Sequence, residues 1–258
     1  TALALVLTML PMPTLAAEPG ITLQYDDYVL QEEFLKKLGV PSSETSISLN
    51  ETDGILESYT DDGENTYIYA AGVGDTTVTV GDVTYNVTVE KAKLNIVLVS
   101  GQSNAEGTFG DSDVSAIAPK KGNGYIWING GLADLNAYVT QKEQTNVNDS
   151  VGWYPALAAE WYALTGEKTV IIPEFHSGNP ISTWYSYDGI TAGAGTTDAV
   201  TKIKNCLSFI SSQNYEIVHT GYYWLQGETD AFINETVENT VYPTAKMYET
   251  AYLGMHEA

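Results

Sequence analysis

The sequence predicts a mixed α/β chain: a parallel sheet with flanking helices over residues 94–258, preceded by a small all-β sandwich over residues 20–90. Three observations carry this. The run Ile96–Val99 is apolar, rich in β-branched residues and ends at Ser100-Gly101, as a strand buried on both faces would. Beyond it, strand-like and helix-like stretches alternate, the order expected of right-handed crossovers in a parallel sheet. Before it lie short runs rich in Val, Ile, Thr and Tyr, separated by turn signals.

In chain order, Glu32–Leu38 reads as a short helix. Ser46–Leu49, Thr66–Ala70, Thr76–Val80 and Val83–Val89 read as strands, punctuated by Asp53-Gly54, Asp62-Gly63 and Gly81-Asp82. Thr76–Val89 is expected to be a hairpin turning at Gly81-Asp82, with Val83, Tyr85, Val87 and Val89 on one face. Lys91-Ala92-Lys93 is a short junction, implying that the two parts are closely coupled. Residues 110–148 lack clear periodicity and are expected to form a long loop system. Trp153–Thr165 carries Trp153, Leu157, Ala158, Trp161 and Leu164 at helical spacing, and Gly166 ends it. Thr169–Pro173 reads as a second buried strand. Asp198–Ile210 reads as a helix with Val200, Ile203, Cys206, Leu207 and Ile210 on one side. Glu216–Leu225 is a strand and Val241–Glu257 a final helix.

Composition narrows the function classes. The chain has 258 residues and a formal net charge of −22. That argues against nucleic acid and anionic membrane surfaces as partners, since both require cationic patches. A neutral or weakly charged substrate fits better. The single Cys206 excludes an intrachain disulfide and a cysteine-based metal site, and reads as a buried small apolar residue. Residues 1–17, apolar and ending in small residues, read as a signal-peptide remnant and imply a secreted or cell-surface protein. They are too short and too broken by Pro11 and Pro13 to span a membrane, so the mature chain is expected to have no membrane span.

The chemistry is concentrated in three blocks, each following a predicted strand. They are Gly101-Gln102-Ser103-Asn104, Ser177-Gly178-Asn179-Pro180-Ile181-Ser182-Thr183-Trp184 and Trp224-Leu225-Gln226-Gly227-Glu228-Thr229-Asp230. Ligands of open α/β sheets bind at the carboxyl ends of strands, and a serine on a tight turn there exposes its hydroxyl. Ester hydrolysis needs such a nucleophile together with donors aimed at the developing oxyanion.

Together the blocks resemble the carbohydrate-esterase branch of the SGNH hydrolases, the sialate O-acetylesterase and acetylxylan esterase-like proteins, over about Leu94 to the end. The resemblance implies a flavodoxin-like sheet, Ser103 as nucleophile, and an oxyanion hole from the Ser103 and Gly178 backbone N–H groups and the Gln226 side-chain amide. It implies a role for Glu228 in orienting the catalytic histidine, although in other relatives a later Asp does this. Asn104 is expected to hold the turn. Trp184 either walls the pocket or belongs to the core, and Asp230 is a further pocket candidate. Tyr85–Val89 loosely resembles the last strand of a bacterial group 2 Ig-like domain, which would make residues 20–90 a spacer or adhesion module.

One part of the pattern is missing. The family carries its histidine in a D-x-x-H block after the last strand, and nothing here matches it. His256 lies in the final helical pattern with Leu253 three before it, and His219 starts its strand at the wrong end. His176 adjoins Gly178 at the correct end and is a candidate pocket residue or base. The expectation is therefore that the catalytic histidine lies beyond residue 258, and that the chain as given is nearly inactive. The expected activity is O-deacetylation of an acetylated oligo- or polysaccharide, with no cofactor and no metal site. The alternative is a non-catalytic carbohydrate-binding or adhesion protein on a degenerate esterase fold.

Overall fold

The computed structural model describes residues 18–41, 43, 46–61, 63–107, 118–135, 153–233 and 244–257. The apolar stretch 1–17 lies outside them. In chain order the first part comprises β1 (Glu18–Gln24), β2 (Tyr28–Leu30), helix α1 (Gln31–Lys37), β3 (Ile47–Leu49), β4 (Leu56–Thr60), β5 (Thr66–Ala70), β6 (Gly74–Val80) and β7 (Val83–Glu90). They form a four-stranded sheet, β1-β7-β6-β3, and a three-stranded sheet, β2-β5-β4. Both sheets and α1 contribute to one core, including Leu23, Phe34, Leu35, Leu56, Ile68 and Val87. β6 and β7 are the expected hairpin, with Val80 opposite Val83. Strands β1, β2 and β4 escaped the sequence reading. β1 contains Pro19 and Gly20, pairs in parallel with β7, and shifts register between Glu18 and Ile21, so it shows no clean alternation.

The second part comprises β8 (Ala92–Gly101), the one-turn helix α2 (Ser103–Glu106), β9 (Gly124–Ile128), β10 (Gly131–Asp134), α3 (Tyr154–Thr165), β11 (Lys168–Phe175), a 3₁₀ turn at Ile181–Thr183, α4 (Ala194–Ser211), β12 (Tyr215–Leu225), α5 (Glu228–Ile233) and α6 (Ala245–Glu257). The sheet order is β10-β9-β11-β8-β12. β9, β11, β8 and β12 run parallel, and β10 is an antiparallel edge. β11 and β12 follow one another in sequence yet flank β8 on opposite sides. The crossover through α4 therefore opens a crevice at the carboxyl end of β8.

β11 explains why a buried parallel strand reads as continuously apolar. Val170 and Ile172 pack on one face with Leu94, Ile96, Cys206 and Ile210. Ile171 packs on the other with Val99, Ile126, Tyr154 and Ala158. Cys206 is buried as expected, and desolvation pushes its thiol up to about 12.

Three expectations are corrected. The stretch 110–148, taken as loop, contains β9 and β10, a hairpin whose two-residue turn is Asn129-Gly130, both at positive φ. On α3 the buried residues are Tyr154, Pro155 and Ala158, while Leu164 is 82% exposed and Trp161 is exposed. The helix is apolar nearly all round, so spacing alone selects the wrong stripe, and small Ala158 marks the side that lies against the sheet. On α4, Leu207 is exposed although Cys206 and Ile210 are buried.

The two parts meet through a buried polar network at the amino end of the third sheet. Lys168 is fully buried; its Nζ donates to Asp27 Oδ1 at 2.7 Å, the Gly122 carbonyl at 2.6 Å and the Asp26 carbonyl at 3.2 Å. Tyr125 and Tyr215 donate their hydroxyls to Asp26 Oδ2 at 2.6 and 2.7 Å. Gln24 also ties the two parts, donating to the Gly166 carbonyl at 2.7 Å and accepting from the Lys93 N–H at 3.0 Å.

Candidate active site

The first block turns sharply off the end of β8. Gly101 sits at φ +137°, and a Cβ there would lie 2.0 Å from the Leu225 carbonyl oxygen. Only glycine fits that approach. The Gln102 N–H donates to that same carbonyl at 3.1 Å, and the Gly101 carbonyl accepts the His176 N–H at 2.9 Å. The ends of β8, β11 and β12 are thus laced together at the turn. Ser103 follows immediately, half-buried at the first position of α2.

The second block reaches α2 through Ser177, whose hydroxyl donates to the buried Glu106 carboxylate. Gly178 is exposed at φ +73°, and the space a Cβ would enter is open. The third block closes on both. Asn104 donates its side-chain amide to the Glu228 carboxylate. Gln226 Nε2 faces three acceptors: Asp230 Oδ2 at 2.7 Å, the Asn179 carbonyl at 3.1 Å and Gln102 Oε1 at 3.2 Å. An amide nitrogen has two hydrogens, so these three acceptors share them. Gln226 Oε1 is buried with no partner among the described residues.

These contacts refine the expected roles. Asn104 does more than hold its own turn, since it bridges to the third block. One oxygen of the Glu228 carboxylate, Oε1, accepts from Asn104. Asp230 is a buried staple: Oδ2 accepts the Ile181 N–H at 2.9 Å and Oδ1 accepts the Tyr187 hydroxyl at 2.7 Å. Trp184 is buried, edge-on to His176 at 5.1 Å and to Trp224 at 5.0 Å, so it belongs to the wall behind the site.

Of the three histidines, His176 alone stands at this end. Its Nε2 lies 3.0 Å from Glu174 Oε1, and Lys202 Nζ lies 2.7 Å from Glu174 Oε2. Burial by itself would raise the Glu174 carboxyl, but hydrogen bonds and charge from His176 and Lys202 hold it below the ordinary carboxylate value. His219 pairs opposite Asn95 near the start of β8, 3.7 Å from Glu167. His256 packs edge-on to Tyr222 and Tyr252 in α6.

Sequence reasoning missed Glu106, Glu174 and Lys202. Glu174 and His176 are two apart at a strand end, a spacing that puts both on one face. Ligand atoms of Glu174, His176 and Asp198 lie within 4.8 Å of one another. The Lys202 ammonium already supplies the positive charge beside Glu174.

No family model matches the chain, and no curated protein matches it. Among solved structures, the chain is similar to a protein from Arabidopsis thaliana with 19% identity and a TM-score of 0.40, covering 53% of this chain and 58% of that one. It is also similar to a carbohydrate acetylesterase from Xanthomonas citri with 15% identity and a TM-score of 0.34, covering 92% of this chain and 55% of that one. The chain thus spans little more than half the length of either.

Proposed function

We propose that the chain is a serine esterase of the SGNH type that removes O-acetyl groups from a carbohydrate. One observation carries this reading: three segments far apart in sequence interlock around Ser103, through Asn104 with Glu228, Gln102 with Gln226, and Glu106 with Ser177. In this reading the Ser103 hydroxyl attacks the acetyl carbonyl, and the ester C–O bond breaks to release the sugar alcohol. Water then hydrolyses the acetyl-serine to acetate and regenerates the hydroxyl. The Ser103 and Gly178 N–H groups face the oxyanion. Gln226 joins them by turning one hydrogen away from its three loop acceptors. In place of the D-x-x-H histidine expected from the resemblance, and of the near-inactivity that its lack implied, this reading makes His176, held by Glu174, the group that takes the proton through its other ring nitrogen. A flavodoxin-like SGNH fold for the sheet and its helices, an Ig-like spacer over 20–90 and export directed by residues 1–17 belong to the same proposal.

The test is labelling by a fluorophosphonate probe together with acetate release from acetylated xylan and acetylated sialic acid. Ser103→Ala is expected to abolish labelling and to cut acetate release by a thousand-fold or more, on the order of the loss when a triad serine is removed. Labelling that survives Ser103→Ala would exclude this serine as the nucleophile. His176→Ala separates the base assignments: unchanged turnover would place the base elsewhere.

A further inference from the structure

We propose that the tyrosine-lined cavity where the first part meets the third sheet binds a neutral oligosaccharide. The cavity holds about 320 Å³. Tyr25, Tyr28 and Tyr69 line it from the first part, and Lys121, Asp134 and Tyr215 from the second. The Tyr28 and Tyr69 rings stack at 4.4 Å, and Tyr25 meets Tyr215 edge-on at 5.2 Å. These residues are partly but not fully buried, so the interface leaves some of their surface uncovered.

The chemistry of the walls selects the ligand class. Aromatic rings cover the C–H faces of a pyranose, while carboxylates and phenols exchange hydrogen bonds with its hydroxyls. Burial raises the Tyr25, Tyr28 and Tyr69 phenols above their ordinary value, so near neutral pH they are uncharged O–H groups. A cationic ligand is disfavoured because the cage already holds one. Lys121 Nζ lies 4.7 Å from the Tyr28 ring centre and 4.0 Å from that of Tyr59. An anionic sugar is disfavoured by Asp26, Asp134 and the net charge of −22. A neutral polyhydroxylated ligand meets neither obstacle.

This site is separate from Ser103. Tyr215 opens β12 and Leu225 closes it, and an 11-residue strand puts the two ends roughly 35 Å apart at about 3.3 Å per residue. The inference therefore stands whether or not the esterase reading does.

Isothermal titration of the whole chain with xylohexaose and cellohexaose tests it. At least one hexasaccharide is expected to bind, tenfold or more weaker to Tyr69→Ala and to Asp134→Asn, and unchanged with Ser103→Ala. Asp134→Asn keeps the side chain's size and the oxygen that accepts the Gly122 N–H, and thermal melting of each variant reports whether the junction still folds. The proposal is overturned if neither sugar binds at millimolar concentration, if binding persists in both junction variants, or if Ser103→Ala removes it. Tetramethylammonium competing for the cavity would also overturn it, by showing a cation site.

Discussion

Two polar side chains at opposite ends of the central strands, Lys168 and Gln226, are partnered in opposite ways. At the amino end, the three Lys168 N–H donors meet three acceptors, and Asp26 Oδ2 collects two phenols. At the carboxyl end, Gln226 Nε2 is shared by three acceptors while its Oε1 has none among the described residues, and Asn104 and Glu228 pair in the open. The Lys168 cluster locks structure, because each N–H of a buried ammonium has been repartnered. A network with more acceptors than hydrogens can change partners at small cost, which suits a site where charge must develop and disperse. The difference separates a mechanical cluster at the amino end from the cluster to which the proposed function assigns the chemistry.

The largest effect is expected at the mechanical cluster. Lys168→Ala should destabilise the chain by about 3–5 kcal/mol, since it strands Asp27 without its partner. Lys168→Met, apolar and of similar length, should cost less. Denaturant melts of both variants check this, and acetate release per folded molecule should be unchanged. Equal costs for Ala and Met would mean that packing, rather than the ion pair, holds the junction.

At the carboxyl end the effects should be smaller on stability and larger on activity. Gly101→Ala forces a Cβ against the Leu225 carbonyl in a backbone region costly for alanine, by about 1–3 kcal/mol. It should shift the Ser103 turn and lower acetate release beyond any loss of folded protein. Asp230→Asn should cost about 1–3 kcal/mol by weakening the staple to Ile181 and Tyr187, and should reduce fluorophosphonate labelling of Ser103.

The smallest expected effect is a pH dependence. The Glu174 carboxyl is held below its ordinary 4.5, so its contribution to stability is complete above that value and is lost as pH falls through the lower folded value. Replacing Glu174 by Gln should therefore flatten the acid limb of the stability curve. An unchanged limb would show that acid unfolding is governed by other carboxylates.

Much of the fold was legible because burial leaves a trace in composition. Ile96–Val99 and Thr169–Pro173 are apolar because both faces of β8 and β11 are covered. The β6–β7 hairpin was legible from Gly81 and strict alternation. The β9–β10 hairpin was equally legible from Asn129-Gly130, but the surrounding polar stretch hid it. The α3 stripe was not legible, because an all-round apolar helix has no periodic contrast. At the candidate site, the three blocks holding Ser103, Gly178 and Gln226 could be named from sequence, and the structure brings those blocks together. Glu174 with Lys202 could not be so named, since that pair depends on how α4 lies over β11.

By itself, then, the sequence determined that β8 and β11 are buried, that β6 and β7 turn at Gly81, and which three polar blocks follow strands. Those properties are local: apolar periodicity, glycine at positive φ, and residue type. Tertiary structure alone decided that β8 lies between β11 and β12, that Asn104 meets Glu228, and that Lys168 closes on Asp27. Each of those depends on distances between residues remote in the chain, which come into existence only when the sheet assembles.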